Sequence, residues 1–308
     1  MSPASLLSEL RGGRRGMINL SSKLNSWRET FENRFTATQN ALYPDEQSLH
    51  QACRYALAGQ GKRIRPLFAM AAAEAVGARP EQALSVAVAA EMIHTYSLVH
   101  DDLPCMDDDD MRRGRATTHI IYDEATALLA GDALLTDAFL VISGDEELSA
   151  SARTKAVSHL ARAAGGRGMV KGQALDMHWT GRSDFTREDL DNIHINKTGA
   201  LIAASCSIGA IAADAQAEDI HILESFGRGL GLVFQIIDDL LDGEQGTGKS
   251  LGKDAFAGKL TYLSLMSHEE AKAYAKKLTD ETIAVLSPLG PKADSLRELG
   301  LALLERKI

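Results

Sequence analysis

Aromatic residues are scarce in this chain: 5% of 308 positions, with two Trp, six Tyr and eight Phe. Proline is scarcer still, at seven. A sandwich of short strands draws on aromatic and β-branched residues and punctuates itself with turn residues, so both shortages argue against that class and favour helices. Period-two alternation is nearly absent, and no βα alternation is present to build a parallel sheet. Cysteine stops at three, Cys53, Cys105 and Cys206, far apart and without CxxC spacing. That excludes a disulfide framework and a thiolate zinc site, and reads as free thiols in a reducing compartment, the cytoplasm. No apolar run is read as reaching the roughly 18 residues of a membrane helix, so no membrane span is expected. Basic residues are in deficit, 33 Lys plus Arg against 42 acids for a net charge of -9. A general nucleic-acid binder needs a net basic surface and is excluded. Residues 1–16 lack the apolar core of a signal peptide. They read as a disordered leader, a tag remnant or sequence upstream of a start at Met17, ahead of one domain over 17–308.

What the chain does have is helical patterning and Ala, Leu and Gly in quantity. Helices are expected at 20–43, 51–57, 66–76, 80–100, 124–143, 149–164, 186–211, 218–241, 268–286 and 292–306, from apolar periodicity and capping residues. No linker and no fixed-period repeat divides them. The expected fold is all-α: one large helical domain of ten or more helices.

Two acidic clusters stand out. Six of the ten residues at 101–110 are aspartate, directly after an apolar helix carrying His94. Close carboxylates repel, so packing them at a buried helix end calls for cations. His94 and Asp101, seven apart, share a helical face, and Pro104 is placed to end the helix and bring Asp107 round. In the second cluster Gln235, Asp238, Asp239 and Asp242 sit at i, i+3, i+4 and i+7, a polar stripe on an otherwise apolar helix. Hard oxygen donors in this number suit Mg²⁺, which takes one or two carboxylates and shares its remaining positions with phosphate and water. Neither cluster has the glycine and terminal glutamate of an EF-hand loop.

Cations accompany both clusters: Lys62, Arg63 and Arg65 in a glycine-led turn, Arg112, Arg113 and Arg115 after the first aspartate run, then Lys197, Lys253 and Lys259. Singly each is a surface charge. Together with the carboxylates they suggest two anionic groups, one bridged through metal and one held by Arg and Lys directly, and diphosphates fit that description. Residues 243–250, GEQGTGKS, match the P-loop string, but a P-loop follows a buried strand and opens a helix, and here helical carboxylate spacing precedes it.

The stretches GQGKRIRP (59–66), MIHTYSLVHDDLPCMDDDDMRRGRATTH (92–119), GQALDM (172–177), NKTGAL (196–201) and FQIIDDLLD…LGKD (234–254) resemble short-chain trans-isoprenyl diphosphate synthases, of the bacterial farnesyl type. The resemblance implies an all-helical fold around a deep cavity, in a homodimer. It implies that Asp101, Asp102 and Asp107, facing Asp238, Asp239 and Asp242, hold three Mg²⁺ ions on an allylic diphosphate, with Arg112, Lys197 and Lys253 contacting it. Lys62, Arg65, His94 and Arg113 match positions that bind isopentenyl diphosphate. Lys197, Thr198 and Gln235 match groups that steady the allylic cation. Tyr96, five residues before Asp101, matches the chain-length floor that goes with a C15 product, alongside the two extra residues near Pro104 and Cys105. A geranylgeranyl diphosphate synthase is the alternative within the family. A terpene cyclase lacks the GKRxRP turn, and a non-catalytic partner would show a damaged aspartate motif. The chain departs from the family in having Leu263 where proline usually follows Thr261-Tyr262, and in a loop one residue longer before Lys253.

With the six aspartates of 101–110 and Asp238, Asp239 and Asp242 set aside, acids and bases balance at 33 each. The negative excess is equal to the two candidate metal walls.

Overall fold

The computed structural model describes residues 13–59, 61–182, 184–245 and 260–304. Its helices are α1 (Gly13–Leu42), α2 (Ser48–Leu57), α3 (Ile64–Ala75), α4 (Leu84–Asp101), α5 (Thr118–Ile121), α6 (Glu124–Ser143), α7 (Ala150–Ala164), α8 (Met169–Trp179), α9 (Arg187–His194), α10 (Ala200–Ala212), α11 (Ala217–Gln245), α12 (His268–Ala284) and α13 (Asp294–Leu304). The π turn Ile195–Gly199 joins α9 to α10. Among the described residues the only sheet is an antiparallel ribbon, β1 (Met111–Arg112) against β2 (Arg115–Ala116), with Met111 opposite Ala116.

Local chemistry sets the helix starts. The Asp123 side chain accepts from the Thr126 N–H at 2.7 Å and opens α6, and Ser149 does the same for α7 through Ala152 at 3.0 Å. Capping boxes Thr186/Asp189 and Ser267/Glu270 open α9 and α12. Each such cap satisfies helix N–H groups that have no intrahelical acceptor. α1 begins seven residues ahead of the expected Leu20, taking in the last four positions of the expected leader, while residues 1–12 lie outside the described chain. α8 was not expected: its apolar residues follow no helical period.

The core is centred on α10, whose thirteen residues are all buried against α3, α7 and α11. Most of α4 is buried as well, and runs of alanine there let helix backbones approach closely.

The expectation that no segment reaches membrane-helix length needs correcting. Three helical stretches, Glu124–Ser143, Arg187–Ala212 and Ala217–Leu241, are long and apolar enough to cross a bilayer by length and composition. The second is 83% buried in the bundle, so its apolarity is spent on the core, whereas α6 is only 33% buried. Leu128, Leu129 and Leu140 stand exposed on α6.

Candidate active site

The first acidic wall forms where α4 ends. Beyond Asp101 the chain folds back on itself: the Asp107 N–H donates to the Asp101 carbonyl at 2.8 Å, and the Asp109 N–H to that of Asp102 at 3.3 Å. Asp107 is thereby returned beside Asp101, as Pro104 led one to expect. Burial, then the charges of Asp107 and Asp102, push the Asp101 carboxyl up to about 6, against the pull of Lys197 and Arg112. Asp102 is buried and accepts from Arg112 Nε at 2.6 Å, with Arg112 Nη2 3.7 Å from Asp109. Two residues expected to serve different ligands thus hold each other.

The second wall runs along α11. Gln235, Asp238 and Asp239 are half-buried, and the Thr198 hydroxyl donates to Gln235 Oε1 at 2.8 Å. The Tyr262 N–H donates to Asp239 Oδ2 at 2.8 Å. The Tyr262 hydroxyl in turn donates to Asp191, which also accepts from Tyr274 at 3.4 Å. Lys197 and Thr198 ride on the π turn, the kind of helix irregularity that gathers at functional sites. Lys197 pairs with Asp176 of α8. α8 comes this close because Gly172 lacks a side chain: a Cβ there falls 2.1 Å from the Lys197 backbone nitrogen. The π turn's lysine is close enough to the end of α4 to act on Asp101.

The Asp242 side chain and Lys253 lie outside the described residues, as do 246–259. The described start of the P-loop-like string, Gly243 to Gln245, continues helix α11, and no strand precedes it. A P-loop needs the opposite order.

Basic groups gather beside the first wall. Arg113 and Gly114, at φ 53° and 77°, form the two-residue turn of the ribbon, with both residues left-handed as a tight hairpin requires. The Arg113 guanidinium lies over Gly61, beside Arg63 and Glu91. Arg63 is buried, donating to Glu91 Oε1 at 2.7 Å and Glu32 Oε1 at 2.8 Å. It is therefore committed to the fold, while Lys62 on one side of it is exposed. Arg65 is lowered to about 10 by burial and by Arg113, with Glu91 opposing, and its Nε finds no partner among the described residues. His94 is held well below the ordinary histidine value by burial and by Arg65, Arg113, Arg112 and Arg63, so it stands neutral among four guanidiniums. A cavity of about 70 Å³ on this flank is lined by Arg63, Glu91, Asp102, Arg112 and Arg113.

Of the expected residues, the structure gathers Lys197, Thr198 and Gln235 at one place, Arg65, His94 and Arg113 at another, and Asp101, Asp102, Asp107 and Arg112 at the end of α4. Sequence reasoning missed Asp176, Asp191, Glu91 and Tyr262 as supports. Asp176 lies inside GQALDM and was open to notice; the Asp191–Tyr262 contact joins residues 71 apart and left no trace in the pattern.

A helical bundle that carries two aspartate-rich helix segments and an arginine-bearing ribbon defines an enzyme of the trans-prenyltransferase class, with an isoprenoid synthase fold. The chain belongs to the polyprenyl synthetase family, which it matches over residues 46–288. It is 44% identical over 273 residues to the farnesyl diphosphate synthase of Micrococcus luteus, covering 87% of this chain and 92% of that one. It is also 44% identical over 238 residues to geranylgeranyl pyrophosphate synthase 7, chloroplastic, of Arabidopsis thaliana, covering 76% and 69%. Among solved structures, an apo FPP/GFPP synthase from Zymomonas mobilis superposes with TM-score 0.81 at 37% identity, covering 93% of this chain and 99% of that one. A geranyltransferase from Helicobacter pylori, solved with magnesium and isoprenyl diphosphate, superposes with TM-score 0.73 at 32% identity, covering 89% and 95%.

Proposed function

We propose that this prenyltransferase condenses isopentenyl diphosphate with dimethylallyl and then geranyl diphosphate to give farnesyl diphosphate. The observation that supports the product assignment is Tyr96, a bulky ring buried on α4 more than a helical turn before Asp101, a position from which it would block a growing chain. A geranylgeranyl product is the second reading, favoured by the equal identity to the Arabidopsis enzyme.

Among the described residues no three carboxylates converge enough to enclose an ion alone. The donors are divided between two walls, which suits Mg²⁺ completing its shell with water and substrate phosphate. We assign Asp101, Asp102 and Asp107 with Asp238, Asp239 and Asp242 to three such ions, Asp102 acting also through its grip on Arg112. Bound there, Mg²⁺ supplies positive charge to the diphosphate that leaves.

The chain's own residues account for the remaining steps. Arg112, Lys197 and Lys253 stabilise negative charge growing on the allylic diphosphate as its C–O bond breaks and the bonding pair departs with it. Lys62, Arg65, His94 and Arg113 bind the isopentenyl diphosphate; the neutral His94 adds a hydrogen bond without adding charge. The Thr198 and Gln235 oxygens, linked at 2.8 Å, face the allylic cation with their negative dipole ends. The isopentenyl double bond attacks C1 of that cation, a C–C bond forms, and the new cation loses a proton to the departed diphosphate. Apolar walls exclude water from the cation.

We further propose a homodimer formed through α6, supported by the exposed Leu128, Leu129 and Leu140. A cytoplasmic location is supported by three free thiols. The test is incubation with Mg²⁺, labelled isopentenyl diphosphate and either allylic starter, followed by product chain-length analysis. A labelled C15 diphosphate is expected; absence of any elongated product overturns the proposal.

A further inference from the structure

The ring of His100, last residue but one of α4, is wedged between Tyr96 and α6. It meets the Tyr96 ring edge to face, with centroids 5.7 Å apart and planes at 80°. Its Nε2 donates to the Leu128 carbonyl on α6 at 3.0 Å, which fixes the hydrogen on that nitrogen because a carbonyl can only accept. The ring has room there only because residue 131 is glycine. A Cβ at that position falls 2.0 Å from Nε2 and 2.3 Å from Cδ2 of His100. No approach below about 3 Å is tolerated between such atoms, so any side chain at 131 expels the ring.

We infer that His100, seated on Gly131 and tethered to the Leu128 carbonyl, is a positioning residue that holds Tyr96 in place and so sets product length. The inference rests on the proposed role of Tyr96 and deepens it. Tyr96 and His100 are one turn apart on one helical face, so the phenol ring cannot swing toward α6 while the imidazole fills the gap. A longer chain needs that swing. With the wedge gone, the floor yields without Tyr96 itself being changed. The edge-to-face contact and the tether are separable: phenylalanine at 100 keeps the wedge and loses the tether.

The experiment uses the full chain with Mg²⁺, isopentenyl diphosphate and geranyl diphosphate, and reads the ratio of C20 to C15 products at matched conversion. His100→Ala and Gly131→Ala are expected to raise that ratio on the order of tenfold, the scale of discrimination by apolar packing. His100→Phe is expected to leave it near wild type. Tyr96→Ala serves as the positive control, and thermal denaturation checks folding. Should an alanine variant fail to fold, His100→Gln, which keeps a donor for the Leu128 carbonyl but no ring, carries the same expectation as His100→Ala. A wild-type ratio in the folded variants, with Tyr96→Ala lengthening the product, overturns the role of His100 alone. A Tyr96→Ala ratio equal to wild type, or a wild type already making C20, overturns the inference together with its floor. No elongation by the wild type strikes the prenyl-transfer reading instead.

Discussion

The main-chain N–H of Tyr262 donates to Asp239 Oδ2 at 2.8 Å, and the same tyrosine's hydroxyl is bound by Asp191. One residue from beyond the 246–259 segment thus links a carboxylate of the second aspartate motif, through its main chain, to α9, through its hydroxyl. Partners that orient a metal-binding carboxylate are worth about 10- to 100-fold in metal affinity or activity. Tyr262→Phe is expected to raise the half-saturating Mg²⁺ concentration by about tenfold or more on that scale, with Asp191→Asn doing the same. Magnesium titration of protein stability in the presence of diphosphate, alongside activity, checks it; unchanged midpoints refute the clamp.

Thr198 and Gln235 share one hydrogen bond, so in the proposed mechanism their losses are expected to overlap. Thr198→Ala and Gln235→Ala each lower kcat, and the double variant falls short of the product of the two by a coupling of about 0.5–3 kcal/mol. A double-mutant cycle in kcat measures this, and strict additivity means the two side chains act separately.

The Arg63–Glu91 pair is buried on both sides, with side chains 7% and 4% exposed. Glu91→Ala leaves the buried Arg63 with only the half-exposed Glu32 as a carboxylate partner and is expected to cost about 3 kcal/mol of stability, the low end of the range for breaking a buried ion pair. Replacing both partners by apolar residues costs less than either single change. Denaturant unfolding of the three variants tests the ordering.

His194 is lowered to about 4 by burial, Lys197 adding to the effect and Asp176 opposing it. Its Nε2 has no hydrogen-bond partner among the described residues. Neutral in the fold and protonated when unfolded below its ordinary value, it contributes stability that is present above about pH 6.5 and lost as pH falls toward 4. His194→Gln is expected to flatten the fall in Tm between pH 6.5 and 4. An equally steep fall assigns that slope to other groups, His94 first among them.

The apolar outer face of α6 is expected to be covered by a second copy of the chain. Leu129→Glu combined with Leu140→Glu places two charges in that interface and is expected to give monomers in sedimentation velocity. Retention of the wild-type oligomer moves the interface elsewhere.

Much of the site was legible because its chemistry is local. Spacing of i, i+3, i+4 and i+7 places Gln235, Asp238 and Asp239 on one stripe whatever surrounds the helix, and Asp123 and the Thr186 and Ser267 capping boxes start helices through bonds three residues long. α8 escaped because its burial is dictated by what it packs on rather than by a repeating pattern. The π turn escaped for a similar reason: nothing in INKTG marks the wider turn, and the close approach of Gly172 to it is a tertiary contact.

The sequence by itself determined an all-helical chain, its two acidic walls, their basic partners and the family to which these belong, since each follows from short-range spacing and composition. Only the tertiary structure decided which charges answer which. It gave Arg112 to Asp102, Lys197 to Asp176, Arg63 to Glu91 and Asp239 to a backbone N–H, and it seated His100 on Gly131. Those pairings join different elements of the fold, and a charge's partner is set by distance in space and by burial, neither of which a linear spacing encodes.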